Sequence, residues 1–211
     1  MITDELIIAA ENLRDRVDPL GDLLVKKGLV DYSYNPLMYA WEPHKAFIEL
    51  GGGKGAKTLL LGMNPGPHGM GQMGIPFSAT SVVRDLLEIK GLEVLQPKNI
   101  HPKRPVTGLD WHKEEVSGTR IWNVLEEYYG SMEEIFSNVF IVNHCPLMLF
   151  NGERGTNITP DKISGDVVKK LLQICDEHLV QVVKIMRIKK VIGVGKYAEK
   201  RALGALKHLD I

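Results

Sequence analysis

Apolar residues recur at three- and four-residue steps through Leu6, Ala10, Leu13, Val17, Leu20 and Leu24. The chain therefore opens with an amphipathic helix from Thr3 to about Leu24, capped by Thr3 and broken or kinked at Pro19. Tyr32 to His44 has little periodicity and carries Pro36, Pro43 and several aromatics, which predicts a structured arm crossing a core. Gly51 to Gly55 predicts a loop. Beyond it the pattern changes to short continuous apolar runs: Thr58–Leu61, Asn138–Val142 and Lys190–Val194. Such runs suit strands buried on both faces of a parallel sheet. Helical patterns lie between and after them: one from Thr80 or Ser81 to Glu88, one from a Ser117 cap to Tyr129, a strong amphipathic helix from Asp166 to Ile188, and a last one from Lys196 to Leu209. Strands alternating with helices predict a three-layer α/β/α sandwich around a mostly parallel sheet.

In such sheets ligands bind beyond the carboxyl ends of the strands, so a ligand site is expected in the segments just after Leu61, Val142 and Val194. After the first run, Gly62 to Phe77 packs five glycines and three prolines into a rigid turn where backbone can approach a flat ligand. Asn64 in this turn and Asn143 after the second run take equivalent places at two strand ends. Each amide offers a donor and an acceptor, which suits either a nucleobase edge or the satisfaction of loop backbone. Phe77 supplies a face on which a base can stack.

The 211 residues make a single domain, with 44% hydrophobic and 25% charged residues, which excludes disorder and collagen-like repeats. Lys plus Arg and Asp plus Glu both number 26, so no bulk charge drives the chain onto nucleic acid or membrane. Two cysteines support neither a disulfide framework nor a Cys-rich metal site. An acidic start (Met1-Ile-Thr-Asp-Glu) and the lack of a membrane-length apolar run predict an intracellular protein, expected to be monomeric.

Gly62-Met63-Asn64-Pro65-Gly66-Pro67, Gly69-Met70 and Gly74-Ile75-Pro76-Phe77 resemble the first motif of the single-strand-selective monofunctional uracil-DNA glycosylases. Asn143 with Cys145-Pro146-Leu147 resembles that family's second strand-end motif. Further segments match in order: Tyr34-Asn35-Pro36, Tyr39-Ala40-Trp41-Glu42-Pro43-His44, His101 to Pro105, Val116-Ser117-Gly118 with Arg120 and Trp122, Asn157 with Thr159-Pro160, and Val191 to Gly195. The resemblance implies a uracil-DNA glycosylase fold and hydrolytic release of uracil and 5-oxidised uracils from single- or double-stranded DNA, with no metal and no cofactor. It implies that Asn64 positions the attacking water, that Asn143 pairs with the uracil edge, and that Phe77 stacks on the base. Met63, Gly66 and Met70 line the pocket, with Gly66 leaving space at the pyrimidine 5-position. The family also has a further strand ending in a His-Pro-Ser-Pro loop, expected to be lacking from a chain that stops at Ile211. Two other outcomes stay open: a specificity moved toward xanthine or hypoxanthine, and a damage-binding domain with weakened turnover.

Candidate DNA-backbone contacts are Lys103 and Arg104 in the basic loop that begins at Lys98 and includes His101, then Ser117 and Arg120, and Lys196 at a helix start. For Lys196 and the glycines before it, close packing is the competing explanation. Gly51 to Thr58 imitates a phosphate-binding loop but precedes a strand instead of following one, and Gly193 to Ala198 imitates a dinucleotide fingerprint without an acidic partner downstream. Neither predicts nucleotide binding. Cys145 and Cys175 are expected to be buried apolar residues, His144 to hold no metal, and Asp110, Glu114 and Glu115 to be solvated.

Overall fold

The computed structural model describes residues 1–211. In chain order the principal elements are α1 (Ile2–Lys26), β1 (Tyr32–Tyr34), α2 (Pro36–Tyr39), α3 (Trp41–Gly51), β2 (Thr58–Gly62), α4 (Met70–Met73), α5 (Val116–Tyr129), α6 (Met132–Asn138), β3 (Val139–Asn143), β4 (Met148–Asn151), β5 (Thr156–Ile158), α7 (Asp166–Met186), β6 (Lys190–Gly193) and α8 (Lys196–Ala205). The three apolar runs form one parallel sheet in the order β3-β2-β6, as their composition predicts. The register pairs Leu59 with Phe140 and Val191, and Gly62 with Asn143. Helices pack around the sheet in an α/β sandwich, and the largest core cluster joins Leu59, Leu61 and Ile141 to Phe47, Trp122, Phe136, Val182 and Ala198.

Several local expectations are corrected. The first helix starts before Thr3 and runs through Pro19 to Lys26, because Leu20 and Leu24 beyond the proline are buried with Val168, Leu171 and Cys175 of α7. That burial outweighs the backbone hydrogen bond the proline removes. The arm at residues 32–44 is a short strand followed by two helices. The helix expected after Thr80 shrinks to a five-residue π turn, Val82–Leu86, and the Thr80 hydroxyl donates instead to the Trp111 carbonyl at 3.2 Å. On α5 Glu115, not Ser117, is the cap residue. The last helix ends at Ala205 instead of reaching Leu209. β6 is buried on neither face, with Ile192 and Lys190 exposed, because only β2 pairs with it. A second sheet, the antiparallel β1-β4-β5, was not legible in the sequence.

Behind β3 lies a narrow cavity lined by His44 and His178 among apolar side chains. His178 keeps part of its surface accessible, but its Nδ1 is enclosed and unpartnered. Burial lowers the pKa of each imidazole from 6.5 to about 4. Between those values the unfolded chain takes up protons that the folded one refuses, so stability is full above about pH 6.5 and declines as the pH falls towards about 4. Urea midpoints at pH 7 and pH 5 measure this decline, and His178→Leu is expected to make it shallower.

Candidate active site

The Gly62–Asn143 pairing brings the two strand-end amides to one place. Parallel hydrogen bonding continues past the strands: His144 N–H donates to the Gly62 carbonyl at 3.0 Å, and Cys145 N–H to the Met63 carbonyl at 2.9 Å. Asn143 therefore sits beside the first residues of the glycine-rich turn, and Asn64 follows two residues after its β2 partner. The Asn64 Nδ2 donates to the Leu147 carbonyl at 3.3 Å, which orients the amide and leaves its oxygen free of protein partners. The Asn143 Nδ2 faces the Met70 Sδ at 3.1 Å. A thioether is a weak acceptor, so the best donor on this wall is held in place without being consumed.

Gly62 has to be glycine. A Cβ there would collide with the Asn143 Oδ1 and lie 2.5 Å from the Phe77 ring. Phe77 is held in the left-handed backbone region at φ 52°, a strained state for a non-glycine residue, and this aims its ring over the strand end. Gly118 on the first turn of α5 makes this possible, because a side chain at that position would strike the Phe77 carbonyl. The Val116-Ser117-Gly118 motif is thus a packing requirement of the aromatic wall.

The turn is pinned from behind by the arm. The Tyr39 hydroxyl donates to the Gly71 carbonyl and the His44 Nδ1–H to the Gly74 carbonyl, both at 2.7 Å. Gln72 ties the turn to the 105–107 loop through the Pro67 and Pro105 carbonyls (2.9 and 3.1 Å) and the Thr107 N–H (2.9 Å). Gly74 adopts φ 69° with the Ala40 carbonyl 2.6 Å from where a Cβ would stand.

These constraints leave a pocket of about 260 Å³ lined by Met63, Asn64, Gly66, Met70, Phe77, Glu115, Ser117, Asn143 and Val194. Every base-pocket residue expected from the sequence is present in it. Glu115 is the one that sequence reasoning misplaced. It is half-buried and its carboxyl lies 2.5 Å from a Cβ position on Gly66, where a solvated side chain was expected; Asp110 and Glu114 are exposed. Burial pushes its pKa up, opposed by the Ser117 backbone N–H. The signal available was its place as the residue before α5, whose first turn must press against the Phe77 backbone.

The expected backbone contacts fare unevenly. Ser117 lines the pocket; Arg120, one turn further along α5, and Lys196, two residues after the lining residue Val194, are both exposed. Lys103 is exposed in its loop, while the Arg104 Nε donates to the Gly155 carbonyl at 2.8 Å and serves partly as a structural clamp. The rest of that loop does not track a ligand. Lys98 is held by Asp18 and Asp22 (2.6 and 3.0 Å), and buried His101 bonds to backbone. Close packing accounts for Gly193, whose Cβ would strike the Glu199 N–H. Both cysteines are buried and free. His144 belongs to a polar cluster, with Nδ1 facing the Tyr197 hydroxyl at 2.9 Å and Nε2 facing Asp176 at 2.8 Å, and Arg201 closes on the same carboxylate.

A family profile described as the uracil DNA glycosylase superfamily matches residues 50–210. The chain belongs to this superfamily. Among curated proteins it is 44% identical over 181 residues to the single-strand selective monofunctional uracil DNA glycosylase of Bos taurus, covering 86% of this chain and 66% of that protein. The Rattus norvegicus and Mus musculus proteins of the same description are each 44% identical over 173 residues, or 82% of this chain. The chain thus spans a little under two thirds of these relatives, 66%, 62% and 61% of their respective lengths. Among solved structures, the crystal structure of wild-type Pedobacter heparinus SMUG2 superposes with a TM-score of 0.59 at 20% identity, over 84% of this chain and 71% of that one. It supports the fold, and the 44% identities bear out the family resemblance read from the motifs.

Proposed function

We propose that this chain is a monofunctional DNA glycosylase that hydrolyses the N-glycosidic bond of uracil, and of uracils oxidised at the 5-position, in DNA base excision repair. The observation that carries this reading is the meeting of Asn64 and Asn143 in one pocket beneath the Phe77 ring. The names of the 44%-identical relatives point the same way. A base inside a duplex is out of reach, so the nucleotide turns out of the stack and the base enters the pocket. Phe77 stacks on its face. The Asn143 amide accepts from the uracil N3–H and donates to O4, whereas cytosine reverses that polarity and leaves buried groups unpaired.

As the bond to the sugar breaks, negative charge gathers on the departing base and the Asn143 Nδ2–H lies where it stabilises that charge. The Asn64 oxygen holds a water against the sugar carbon. An amide is too weak a base to take its proton early, so Asn64 contributes by placing the nucleophile. Ser117 in the pocket and the exposed cations Lys196, Arg120 and Lys103, with Arg104, hold the DNA backbone.

Incubation of the chain with labelled uracil-containing single- and double-stranded oligonucleotides, followed by alkali, tests the proposal. Scission only after alkali is the expected result. Retention without scission identifies a binding domain, and scission only at xanthine or hypoxanthine a shifted enzyme. Asn143→Asp removes the donor facing O4 and places a carboxylate near the departing anion. It is expected to lower uracil excision by about tenfold or more, the cost of a lost charge-bearing hydrogen bond, measured as kcat/KM on the uracil oligonucleotide.

A further inference from the structure

The pocket takes one base out of the strand, and the bases on either side of it lose a stacking partner. Beside the pocket lies a group of flat and cationic side chains that the chemistry above does not use. His68 stands on the glycine-rich turn, two residues from both Gly66 and Met70 of the pocket wall. Trp111 lies against it. The two ring planes are 14° apart with centroids 5.5 Å apart, and the Trp111 Nε1–H donates to the His68 Nδ1 at 3.1 Å. An indole N–H points along its own ring plane, so the imidazole borders the indole and widens its surface instead of capping its face. His112 extends the group, with its centroid 5.2 Å from that of Trp111.

Trp111 is firmly held although it sits in a loop. Its N–H donates to the Gly108 carbonyl, and its carbonyl accepts from the Thr80 hydroxyl, both at 3.2 Å. Four residues later the same segment supplies Glu115 to the pocket, with its Cγ 2.9 Å from a Cβ position on Gly69, the neighbour of His68. The bond between the rings needs a neutral imidazole, because a protonated one has no acceptor. Burial holds the His68 pKa below the usual 6.5, and the positive charges of Arg104 and Lys113 push the same way. Those two cations therefore stand close to the ring pair. Glu114, which follows Lys113, is engaged by the Ser81 hydroxyl at 2.8 Å.

We propose that Trp111, bordered by His68, is a stacking platform for the nucleobase next to the flipped uracil, with Arg104 and Lys113 taking the phosphate of that nucleotide. The inference rests on the uracil-pocket reading above. Half-buried Trp111 keeps part of its surface accessible, and Lys113 is exposed. Two residues of chain reach about 7 Å at most, so the His68 backbone stays within one nucleotide of the pocket wall. An aromatic surface with cations beside it binds a base through its π-face and a phosphate through charge, whatever the sequence. The platform repays the neighbouring base for the stacking it loses when the uracil turns out.

The test is equilibrium binding of single-stranded oligonucleotides carrying 2′-fluoro-2′-deoxyuridine, in which fluorine blocks cleavage. The bases on its 5′ and 3′ sides are present or are replaced, one at a time, by a tetrahydrofuran abasic unit. Removing the base on one side is expected to weaken wild type by about five- to a hundredfold, the worth of one base on an aromatic face. Trp111→Ala is expected to lose as much on the intact strand and to lose nothing further when that base is absent. Trp111→Leu, which fills the space without a flat face, carries the same expectation if the alanine variant does not fold, and Trp111→Phe is expected to keep most of the sensitivity. Wild type indifferent to both neighbouring bases overturns the inference. So do variants that bind more weakly yet remain as sensitive as wild type, or that lose the preference for uracil over cytosine, since Trp111 then only supports the turn. A wild type with no preference for the uracil strand over its cytosine counterpart removes the uracil-pocket reading, and the platform with it.

Discussion

Asn64→Ala is expected to reduce single-turnover release of uracil by about a hundredfold or more while leaving the protein folded. In a site that works by placing a water, displacement of the nucleophile by about 1 Å already costs on the order of a hundredfold. Alanine removes the placement altogether. The structural cost is small. Asn64 is only half-buried, and its protein contact is one 3.3 Å bond from Nδ2 to the Leu147 carbonyl. Such a bond contributes about 1 kcal/mol, so the thermal midpoint moves by a few degrees at most. Uracil-dependent binding should persist, because Asn143 and Phe77 remain. Unchanged turnover would take Asn64 out of the mechanism.

Gly62→Ala is expected to be nearly as damaging for a different reason. One added methyl collides with the Asn143 Oδ1 and comes within 2.5 Å of the Phe77 ring. Neither can yield easily. Asn143 is locked by strand register and by the His144 and Cys145 backbone bonds, and Phe77 already occupies a strained φ against Gly118. The pocket loses its base edge and its stacking face together. Uracil affinity is expected to fall by about a hundredfold, with about 1–3 kcal/mol of stability lost to overpacking. Gly204→Ala is the matched control. It lies on α8 with nothing within 4 Å of its Cβ position, and is expected to leave binding intact while stabilising the helix by about 0.8–1 kcal/mol. Fluorescence-polarisation binding and thermal melts of the two variants separate these effects.

The parts of the fold set by long apolar periodicity were legible in the sequence. β2, β3 and α7 arise from runs and stripes that admit few alternatives, and the parallel sheet with two amides at adjacent strand ends comes with them. Where tertiary contacts override local pattern, the reading failed. Pro19 sits within a helix whose far end is buried against α7, and the Thr80 hydroxyl spends its hydrogen bond on Trp111 instead of capping a helix. The short strands β1, β4 and β5 exist only as partners of one another and carry too few residues to show a period. Within the site, the residues on the rigid turn were visible because glycine and proline density marks it. Glu115 was not, because a carboxylate in a charged, loop-like stretch looks solvated until α5 is seen to press it onto Gly66 and Gly69. The same blindness applies to Lys98, whose partners Asp18 and Asp22 lie far away in the sequence on α1.

In this mechanism two amides from distant parts of the chain serve one bound nucleotide, Asn143 at the base edge and Asn64 at the water beside the sugar, and side-chain amide NMR observes their shared pocket directly. The Nδ2 resonances of Asn64 and Asn143, assigned by substitution, are tracked as an oligonucleotide bearing 2′-fluoro-2′-deoxyuridine is added, and again with its cytosine counterpart. Both resonances are expected to shift in step with the uracil oligonucleotide, with the larger change at Asn143, and to stay in place with cytosine. Binding that moves only one of them, or that moves both equally for either base, would contradict the shared pocket.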